Sequence, residues 1–321
     1  MKKIFKEQKF IVLLVAIALY IIFALISKDF RKYTTIILML DTTYYFVLLG
    51  IGVTFPLITG GVDLSIGTGM VCYALVGGFL IRDHKWPVIA AMLFCVLFGL
   101  LVGCVNGVLV AIMDLPPFLA TLCTCMITRG LGTRIANQQA VPWPTAKVAE
   151  GWFHNLFKLS INKVKYPTGI IVVIVFVVIM AFVLNHTRMG RYTIAIGSNK
   201  EATRLSGVNV KAYHIAAYAI CGLFAGLASI GYAAATPTVQ PGTGAGLELD
   251  AIGGAIVGGV SAAGGVGSIE GTLIGVLVIQ LLKTGLPFIG LEANWQQIIM
   301  GLVLIGAVII DVIKQRRAAA M

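Results

Sequence analysis

Charged side chains are scarce in this chain. Asp, Glu, Lys and Arg make up 12% of its 321 residues, whereas roughly 25% of an ordinary soluble domain is charged. Apolar residues reach 59%, and the mean hydropathy is +0.96. This composition excludes an ordinary soluble domain. It predicts an all-α polytopic membrane protein, with residues 1–321 forming a single transmembrane domain.

Acidic residues are fewer than basic ones, 13 against 24, and the formal net charge is +11. A nucleic-acid surface would gather the basic residues on one face among aromatic side chains. Here they lie at the ends of apolar runs, so we expect no nucleic-acid partner. The terminal clusters consist of Lys2, Lys3, Lys6 and Lys9, and of Lys314, Arg316 and Arg317. By the positive-inside rule they predict that both termini are cytoplasmic.

Motifs for metal binding, nucleotide binding and hydrolysis are missing. The six cysteines fall in apolar runs without C-x-x-C spacing, and the four histidines are scattered. The sequence contains neither G-x-x-x-x-G-K-[ST] nor a supported Ser/His/Asp arrangement. We therefore expect no bound metal or cofactor, no enzymatic activity, and cysteines that serve as small packing residues.

Long apolar runs dominate what is present. At roughly 20 residues per span, the sequence predicts ten membrane-spanning helices, and an even number returns the C-terminus to the side of the N-terminus. The predicted spans are 10–27, 34–59, 65–81, 87–113, 116–136, 168–186, 213–235, 247–262, 270–288 and 296–313. Small-xxx-small spacings at Gly99 and Gly103, and at Gly254 and Gly258, predict close helix packing.

An internal echo predicts an inverted repeat. The segment Gly107–Val110, followed by Leu115–Phe118, resembles Gly275–Val278 followed by Gly285–Phe288. Spans two to five then repeat as spans seven to ten. This arrangement predicts that the acidic breaks of the two copies, at Asp63 and at Glu248 with Asp250, lie at opposite membrane faces.

The first acidic break, 60–67, reads Gly-Gly-Val-Asp-Leu-Ser-Ile-Gly. Two interpretations remain open. Asp63 or Ser65 can cap the helix that follows, or Asp63 has a transport role, because intramembrane ionisable residues are functional candidates by default.

The most basic loop, 187–212, contains a predicted short helix over 199–206. Asn199 is a plausible N-cap, Glu201 and Ala202 occupy the first turn, and Gly207 is the stop. One interpretation is a solvated cytoplasmic loop, and the other is a docking helix for a soluble partner.

These motifs resemble those of the permease subunits of ribose-type monosaccharide ABC importers, a group related to branched-chain amino acid permeases. The resemblance covers nearly the whole chain. It is carried by four segments in the family's order, which are 60–67, 115–122, 190–208 and 248–268.

The resemblance implies an importer in the cytoplasmic (inner) membrane of a bacterium, which takes a small sugar from a periplasmic or lipid-anchored binding protein. ATP would be used by a separate ATP-binding subunit, and two permeases, identical or different, would pair around one path among membrane lipids. The implied coupling residues are Gly197, Asn199, Glu201, Ala202 and Gly207. The path candidates are Gly60, Gly61, Asp63, Ser65, Asn106, Phe118, Thr121, Glu248 and Asp250. The particular sugar is not identified by the sequence.

Two residues depart from the family pattern, namely Pro56, which is expected to kink span two, and Asp41 near the start of that span. Two rival functions are also considered. An ion-coupled secondary transporter would suit the inverted repeat and the acids. An intramembrane enzyme would need Asp63 and Glu248 to converge, which the predicted topology opposes.

Overall fold

The structure is a computed structural model that describes residues 2–162 and 164–319, with the side chains of 2–8 and 314–319 left out. Lys163 is therefore outside the described residues, and the side chains of the terminal basic clusters, apart from that of Lys9, are not described. The described chain is mostly helical and its strands have only two or three residues, which confirms the predicted all-α class.

Twelve α-helices lie within the described ranges. They are α1 (Lys2–Ile26), α2 (Tyr33–Ile58), α3 (Ile66–His84), α4 (Val88–Ala111), α5 (Pro117–Ile135), α6 (Gly169–His186), α7 (Arg188–Ser198), α8 (Lys200–Leu205), α9 (Val210–Ala235), α10 (Leu247–Val257), α11 (Ile269–Phe288) and α12 (Ala293–Ala319). A 3-10 helix covers Ala149–Leu156. Four short strands are β1 (Val141–Pro142), β2 (Leu159–Ile161), β3 (Val164–Tyr166) and β4 (Thr238–Val239), paired antiparallel as β1 with β4 and β2 with β3.

Eight helices of the described chain are long and apolar enough to cross a membrane, against ten predicted spans. The two predicted spans outside this set correspond to α5 and α10. Helix α5 has 19 residues, as many as α3. Helix α10 has 11 residues, which is about 16 Å at 1.5 Å per residue. The predicted span 247–262 is therefore a half-length helix.

Glycines allow two helix pairs to approach closely, as the small-xxx-small spacings predict. A Cβ at Gly99 would overlap the carbonyl oxygen of Gly222, which joins α4 to α9. A Cβ at Gly258 would overlap the carbonyl oxygen of Gly271 in the same way, joining α10 to α11. Backbone contact of this kind replaces the hydrophobic driving force that helices lack in lipid.

The described chain has two distinct ends, which we name by their landmarks. At the hairpin end, β2 and β3 form a two-stranded hairpin and β1 pairs with β4. Trp143 is buried there, and its indole N–H donates to the carbonyl of Ala74 at 2.8 Å. At the α8 end, the N–H of Gly265 donates to the carbonyl of Ile58 at 2.8 Å.

The two departures in span two have local explanations. Pro56 lies in the last turn of α2, and that helix runs unbroken to Ile58. Asp41 is buried in α2 and forms an ion pair with Lys158, so its charge has a partner in the segment that covers the hairpin end.

Candidate functional site

In the structure the first acidic break consists of residues 59–65, because α3 already begins at Ile66, and it turns back into the helix bundle. Gly60 has φ +81°, a left-handed conformation that glycine adopts without penalty. The side chain of Asn106 contacts the break five residues before the end of α4, a depth of about 8 Å. The break therefore places its polar side chains inside the protein.

Asp63, Ser65 and Asn106 form one buried cluster, and none of them is more than 3% exposed. The Oδ1 atom of Asp63 accepts hydrogen bonds from the backbone N–H of Ser65 at 2.9 Å and from its hydroxyl at 2.6 Å. The side-chain amide of Asn106 donates to both carboxylate oxygens at 3.3 Å and to the Ser65 hydroxyl oxygen at 2.9 Å. Both oxygens of this carboxylate thus have donors, as a buried charge requires.

The predicted helix cap is wrong in its geometry. Ser65 is the N-cap residue of α3, but it has helical backbone angles and its side chain makes no capping hydrogen bond. Asp63 bonds to Ser65, two residues ahead, and not to the N–H groups of the first helical turn. The carboxylate closes a local turn and joins the break to α4. It remains beside the positive end of the α3 dipole.

Thr121 and Tyr218 complete the wall around this cluster. Thr121 is fully buried on α5, and its hydroxyl donates to the carbonyl of Val62 at 3.2 Å. Tyr218 is fully buried on α9, and a Cβ at Gly61 would overlap its hydroxyl oxygen. Gly61 is therefore required for this approach. Among the described residues the Tyr218 hydroxyl has no hydrogen-bond partner.

The second break, 236–246, enters the bundle from the hairpin end. It starts after the C-terminus of α9, pairs through β4 with β1, and ends at Gly246, the residue before α10. Glu248, in the first turn of α10, is 8% exposed. Its Oε1 atom accepts from the N–H of Gly246 at 3.0 Å, whereas its Oε2 atom is buried without a hydrogen-bond partner in the described residues.

The two breaks meet at the start of α3, so the predicted placement of their acids at opposite faces is wrong. A Cβ at Gly67 would overlap Oε2 of Glu248, and Asp63 bonds to Ser65 immediately before that helix. The reason is that α10 is a half-length helix whose N-terminus begins inside the bundle, where it reaches the first turn of α3.

Two path candidates lie apart from this meeting point. Asp250 forms an ion pair with Lys283 of α11 at 2.5 Å, and the Lys283 ammonium lies 5.2 Å from the ring centroid of Phe46. Phe118 is 54% exposed at the start of α5. The candidates therefore separate into the Asp63 cluster, the Glu248 carboxylate, the Asp250 ion pair and the exposed face of α5.

The basic loop forms two helices, where the sequence predicts one. Helix α8 matches the predicted short helix, because Asn199 Oδ1 accepts from the N–H of Ala202 at 2.9 Å and Gly207 has φ +80°. Glu201 and Ala202 are exposed on it, and Leu205 is 81% exposed. The additional helix, α7, was missed because its charged positions suggest a solvated loop.

Helix α7 contacts the end of α2, which precedes the first break, and the turn that follows α10. A Cβ at Gly197 would overlap the carbonyl oxygen of Ile58, the last residue of α2 before the first break. The same carbonyl accepts from Gly265, which lies against Ser198 at the end of α7. Gly265 belongs to the turn that follows α10, so one contact joins α7 to the segments that carry Asp63 and Glu248.

The arrangement of eight long apolar helices with two breaks that meet inside the bundle is that of a membrane permease. Residues 35–308 match the family described as "Branched-chain amino acid transport system / permease component", and the chain belongs to this family. It is 36% identical to the ribose import permease protein RbsC of Escherichia coli K12 over 97% of this chain and 94% of that protein. It is 33% identical to RbsC of Bacillus subtilis over 91% and 89% of the two chains.

Another relative is the fructose import permease protein FruG of Bifidobacterium longum, 31% identical over 83% of this chain and 79% of that protein. No solved structure matches the chain. These relatives confirm the predicted resemblance and do not favour the ion-coupled transporter. The family consists of transport permeases, so the intramembrane enzyme is not supported.

Sequence reasoning gave no role to several charged residues within the predicted spans, among them Lys283 and Arg129. Lys283 lies in predicted span nine and Arg129 in predicted span five. An ionisable residue within a span is a functional candidate, and the same argument had singled out Asp63. Tyr218 gave no such signal, since a tyrosine in an apolar run is ordinary, and only the fold brings its hydroxyl to Gly61.

Proposed function

We propose that this chain is the permease subunit of an ATP-binding-cassette importer that moves a small sugar into a bacterial cell across the inner membrane. Support comes from relatives named for ribose and fructose import, which align over most of their length. Hydrolysis of ATP belongs to a separate subunit, and no cofactor is bound by this chain.

The observation that carries this proposal is the contact of α7 with the segments beside both breaks. Helix α8 projects beyond it, capped at Asn199 and exposed at Glu201, Ala202 and Leu205, and offers a surface on which the ATP-binding subunit can push. A displacement of α7 moves Ile58 and Gly265 together. ATP-driven motion at one surface would thereby reach both Asp63 and Glu248.

The two breaks line the translocation path in this proposal. The Asp63 cluster holds the start of α3 in place, because its carboxylate hydrogen bonds tie the break to α4. Glu248 carries the adjustable acceptor, since its Oε2 atom has no donor in the described residues. When the path opens, a sugar hydroxyl can donate to this oxygen, so the sugar satisfies a group that the closed protein leaves unpaired.

The orientation and the partners follow from the same proposal. Both termini and loop 187–212 are cytoplasmic, and the hairpin end faces the binding protein that delivers the sugar. A second permease, identical or different, completes the path. In a cysteine-free background, single substitutions Lys3→Cys, Lys200→Cys and Arg316→Cys should resist a membrane-impermeant thiol reagent in intact cells. Labelling of any one of them contradicts this orientation.

Uptake of radiolabelled ribose and fructose into proteoliposomes tests the proposal. The vesicles would contain this permease with the ATP-binding subunit of its importer, and its binding protein would be added outside. We expect ATP-dependent uptake of a sugar. The double variant Glu201→Lys with Ala202→Asp should remain folded, lose association with the ATP-binding subunit and lose uptake. Retention of both association and uptake in this variant excludes α8 as the coupling surface.

A further inference from the structure

Helix α10 is held differently at its two ends. Near its C-terminus the backbone packs directly on α11, because a Cβ at Gly258 would overlap the carbonyl oxygen of Gly271. Its first turn, which carries Glu248 and Asp250, instead borders a cavity of about 470 Å³. Residues of α10, α11 and α12 line this cavity, among them Leu247, Lys283, Gln297 and Leu304. The first turn therefore has room to move, whereas the other end of the helix is fixed.

Glu248 and Asp250 lie on opposite sides of this turn, since two residues along an α-helix are separated by about 200°. Glu248 lies against Gly67 of α3, and Asp250 pairs with Lys283 of α11 at 2.5 Å. Within the described residues, this pair is the one side-chain hydrogen bond that joins the first turn of α10 to another helix. A displacement of the turn that separates Asp250 from Lys283 therefore also moves Glu248.

The ammonium group of Lys283 is itself held on two sides. Besides Asp250 it contacts the buried ring of Phe46 in α2, at 5.2 Å from the ring centroid. The side chain of Asp250 is 13% exposed and that of Lys283 is 35% exposed, so both charges are largely shielded from water, where ion pairs and cation–π contacts are stronger. Lys283 thus fixes the first turn of α10 relative to both α2 and α11.

The other ion pair of α11 provides a comparison within the same helix. Lys9 of α1 and Glu270 of α11 are joined at 3.0 Å, with side chains 33% and 44% exposed. Glu270 precedes Lys283 by 13 residues, which is about 20 Å along the helix. This pair therefore ties α11 to a neighbour far from the first turn of α10, and its loss should leave Glu248 in place.

We infer that Lys283 is a positioning residue, whose ion pair with Asp250 holds the first turn of α10 against α3 and so sets the place of the Glu248 carboxylate. The positive end of the α10 dipole already favours an acid in this turn, so Asp250 does not need a lysine for its charge alone. The lysine adds a fixed point toward which the turn is drawn, on the side where the cavity leaves it free. The inference about position stands on these contacts, whereas its consequence for transport rests on the proposed function.

Thiol reactivity at residue 248 tests the position without reference to transport. Glu248→Cys is placed in full-length protein whose six native cysteines are replaced, and its modification by a small charged thiol reagent is timed in native membranes. The neutral pair Asp250→Asn with Lys283→Met removes the contact and leaves no unpaired charge, so it should remain folded. We expect it to accelerate the reaction at least tenfold, because the turn leaves α3 and moves into the cavity.

Two matched variants complete this test. Lys283→Arg keeps the ion pair, and Glu270→Gln breaks the pair at the other end of α11, so both should react at the rate of the parent protein. Lys283→Gln, which keeps a donor on a shorter side chain, should react at an intermediate rate. The inference is overturned if the neutral pair and Lys283→Gln both react as slowly as the parent protein, or if Glu270→Gln accelerates the reaction as much as they do.

Transport in the reconstituted importer, with Glu248 intact, gives the second readout. The neutral pair should lower the sugar taken up per ATP hydrolysed at least tenfold, while Lys283→Arg should keep most of it. A merely structural role would reduce the amount of folded protein and leave this ratio unchanged, and that result contradicts the positioning role in transport. If the wild-type protein transports no sugar, the proposed function fails, and the thiol rates still decide the position of Glu248.

Discussion

The two breaks meet at the same helix start but differ in how their carboxylates are satisfied. Asp63 accepts from the N–H and hydroxyl of Ser65 and from the amide of Asn106. Glu248 uses one oxygen on the N–H of Gly246, and the other has no donor in the described residues. A buried polar group that is paired fixes its surroundings, whereas an unpaired one lowers stability. The hydrogen bonds of Asp63 therefore hold the first break in a fixed position, which we call the frame of the site, whereas the Glu248 carboxylate beside the second break can accept a new hydrogen bond.

Removal of the Asp63 carboxylate should have the largest effect. In Asp63→Leu the hydroxyl and N–H of Ser65 lose their acceptor inside the protein, and the amide of Asn106 keeps only the Ser65 hydroxyl oxygen. Unsatisfied buried donors cost about 1–3 kcal/mol each, so we expect poor membrane expression and a thermal unfolding midpoint well below that of the wild-type protein in the same detergent. A midpoint within error of the wild-type value contradicts the role of Asp63 as a frame.

Asp63→Asn should have an intermediate effect. The amide oxygen of the new side chain can still accept from Ser65, but its NH₂ group faces the donating amide of Asn106 at the other oxygen. We expect about 1.5–3 kcal/mol of destabilisation, which corresponds to the loss of one hydrogen bond to a charged group. An N-cap alone would tolerate this change, since Asn and Asp cap comparably. Chemical denaturation of the purified variant measures the difference. Unchanged stability with normal transport would restore the simple capping account.

Glu248→Gln should separate function from stability. Its side-chain oxygen can still accept from the N–H of Gly246, and the unpaired oxygen is replaced by an NH₂ group. The lost charge near the positive ends of α3 and α10 changes stability by about 0.3–1 kcal/mol. Transport should fall severely, because a carboxylate acceptor for the sugar hydroxyl is lost. Thermal unfolding and uptake measured on one preparation distinguish these effects, with Glu270→Gln as the control, because Glu270 is a half-exposed acid in the first turn of α11 that pairs with Lys9.

Changes on α8 should have the smallest effect on stability. Within the described residues Glu201 forms its ion pair with Arg204, and both side chains are about two-thirds exposed. Exposed pairs of this kind contribute about 0.2–1 kcal/mol. Arg204→Ala should therefore unfold within about 0.5 kcal/mol of the wild-type protein. If it unfolds more easily by over about 2 kcal/mol, α8 is a structural element of the bundle and not a separate docking surface.

Local signals in the sequence predicted α8 well. Asn199 and Gly207 set its ends through capping and left-handed backbone, interactions that span only a few residues. The helix pairs were predictable from the glycine spacings at Gly99 and Gly254, because close packing in lipid requires small residues. The number of long apolar runs predicted the class of fold, because backbone polar groups inside a bilayer must be hydrogen-bonded within the protein and apolar helices achieve this.

Contacts between residues far apart in the chain could not be predicted from the sequence. After Asp250 the run to residue 262 contains no charged residue, so its length predicts a full span, whereas α10 ends at Val257, where Gly258 approaches α11. Asn106 reaches Asp63 across 43 residues, so the cluster depends on how α4 packs against the break. The placement of Glu248 beside α3 follows from the half-length helix, and the predicted repeat gave the opposite answer.

Measurement of unfolding and uptake for Asp63→Asn and Glu248→Gln, side by side in the reconstituted importer, tests the difference between the two breaks most directly. The account predicts that Asp63→Asn lowers the thermal unfolding midpoint clearly, and that Glu248→Gln leaves it nearly unchanged while uptake is lost. Two results together would contradict the account. Glu248→Gln would be destabilised but would transport normally per folded molecule, and Asp63→Asn would be as stable as the wild-type protein.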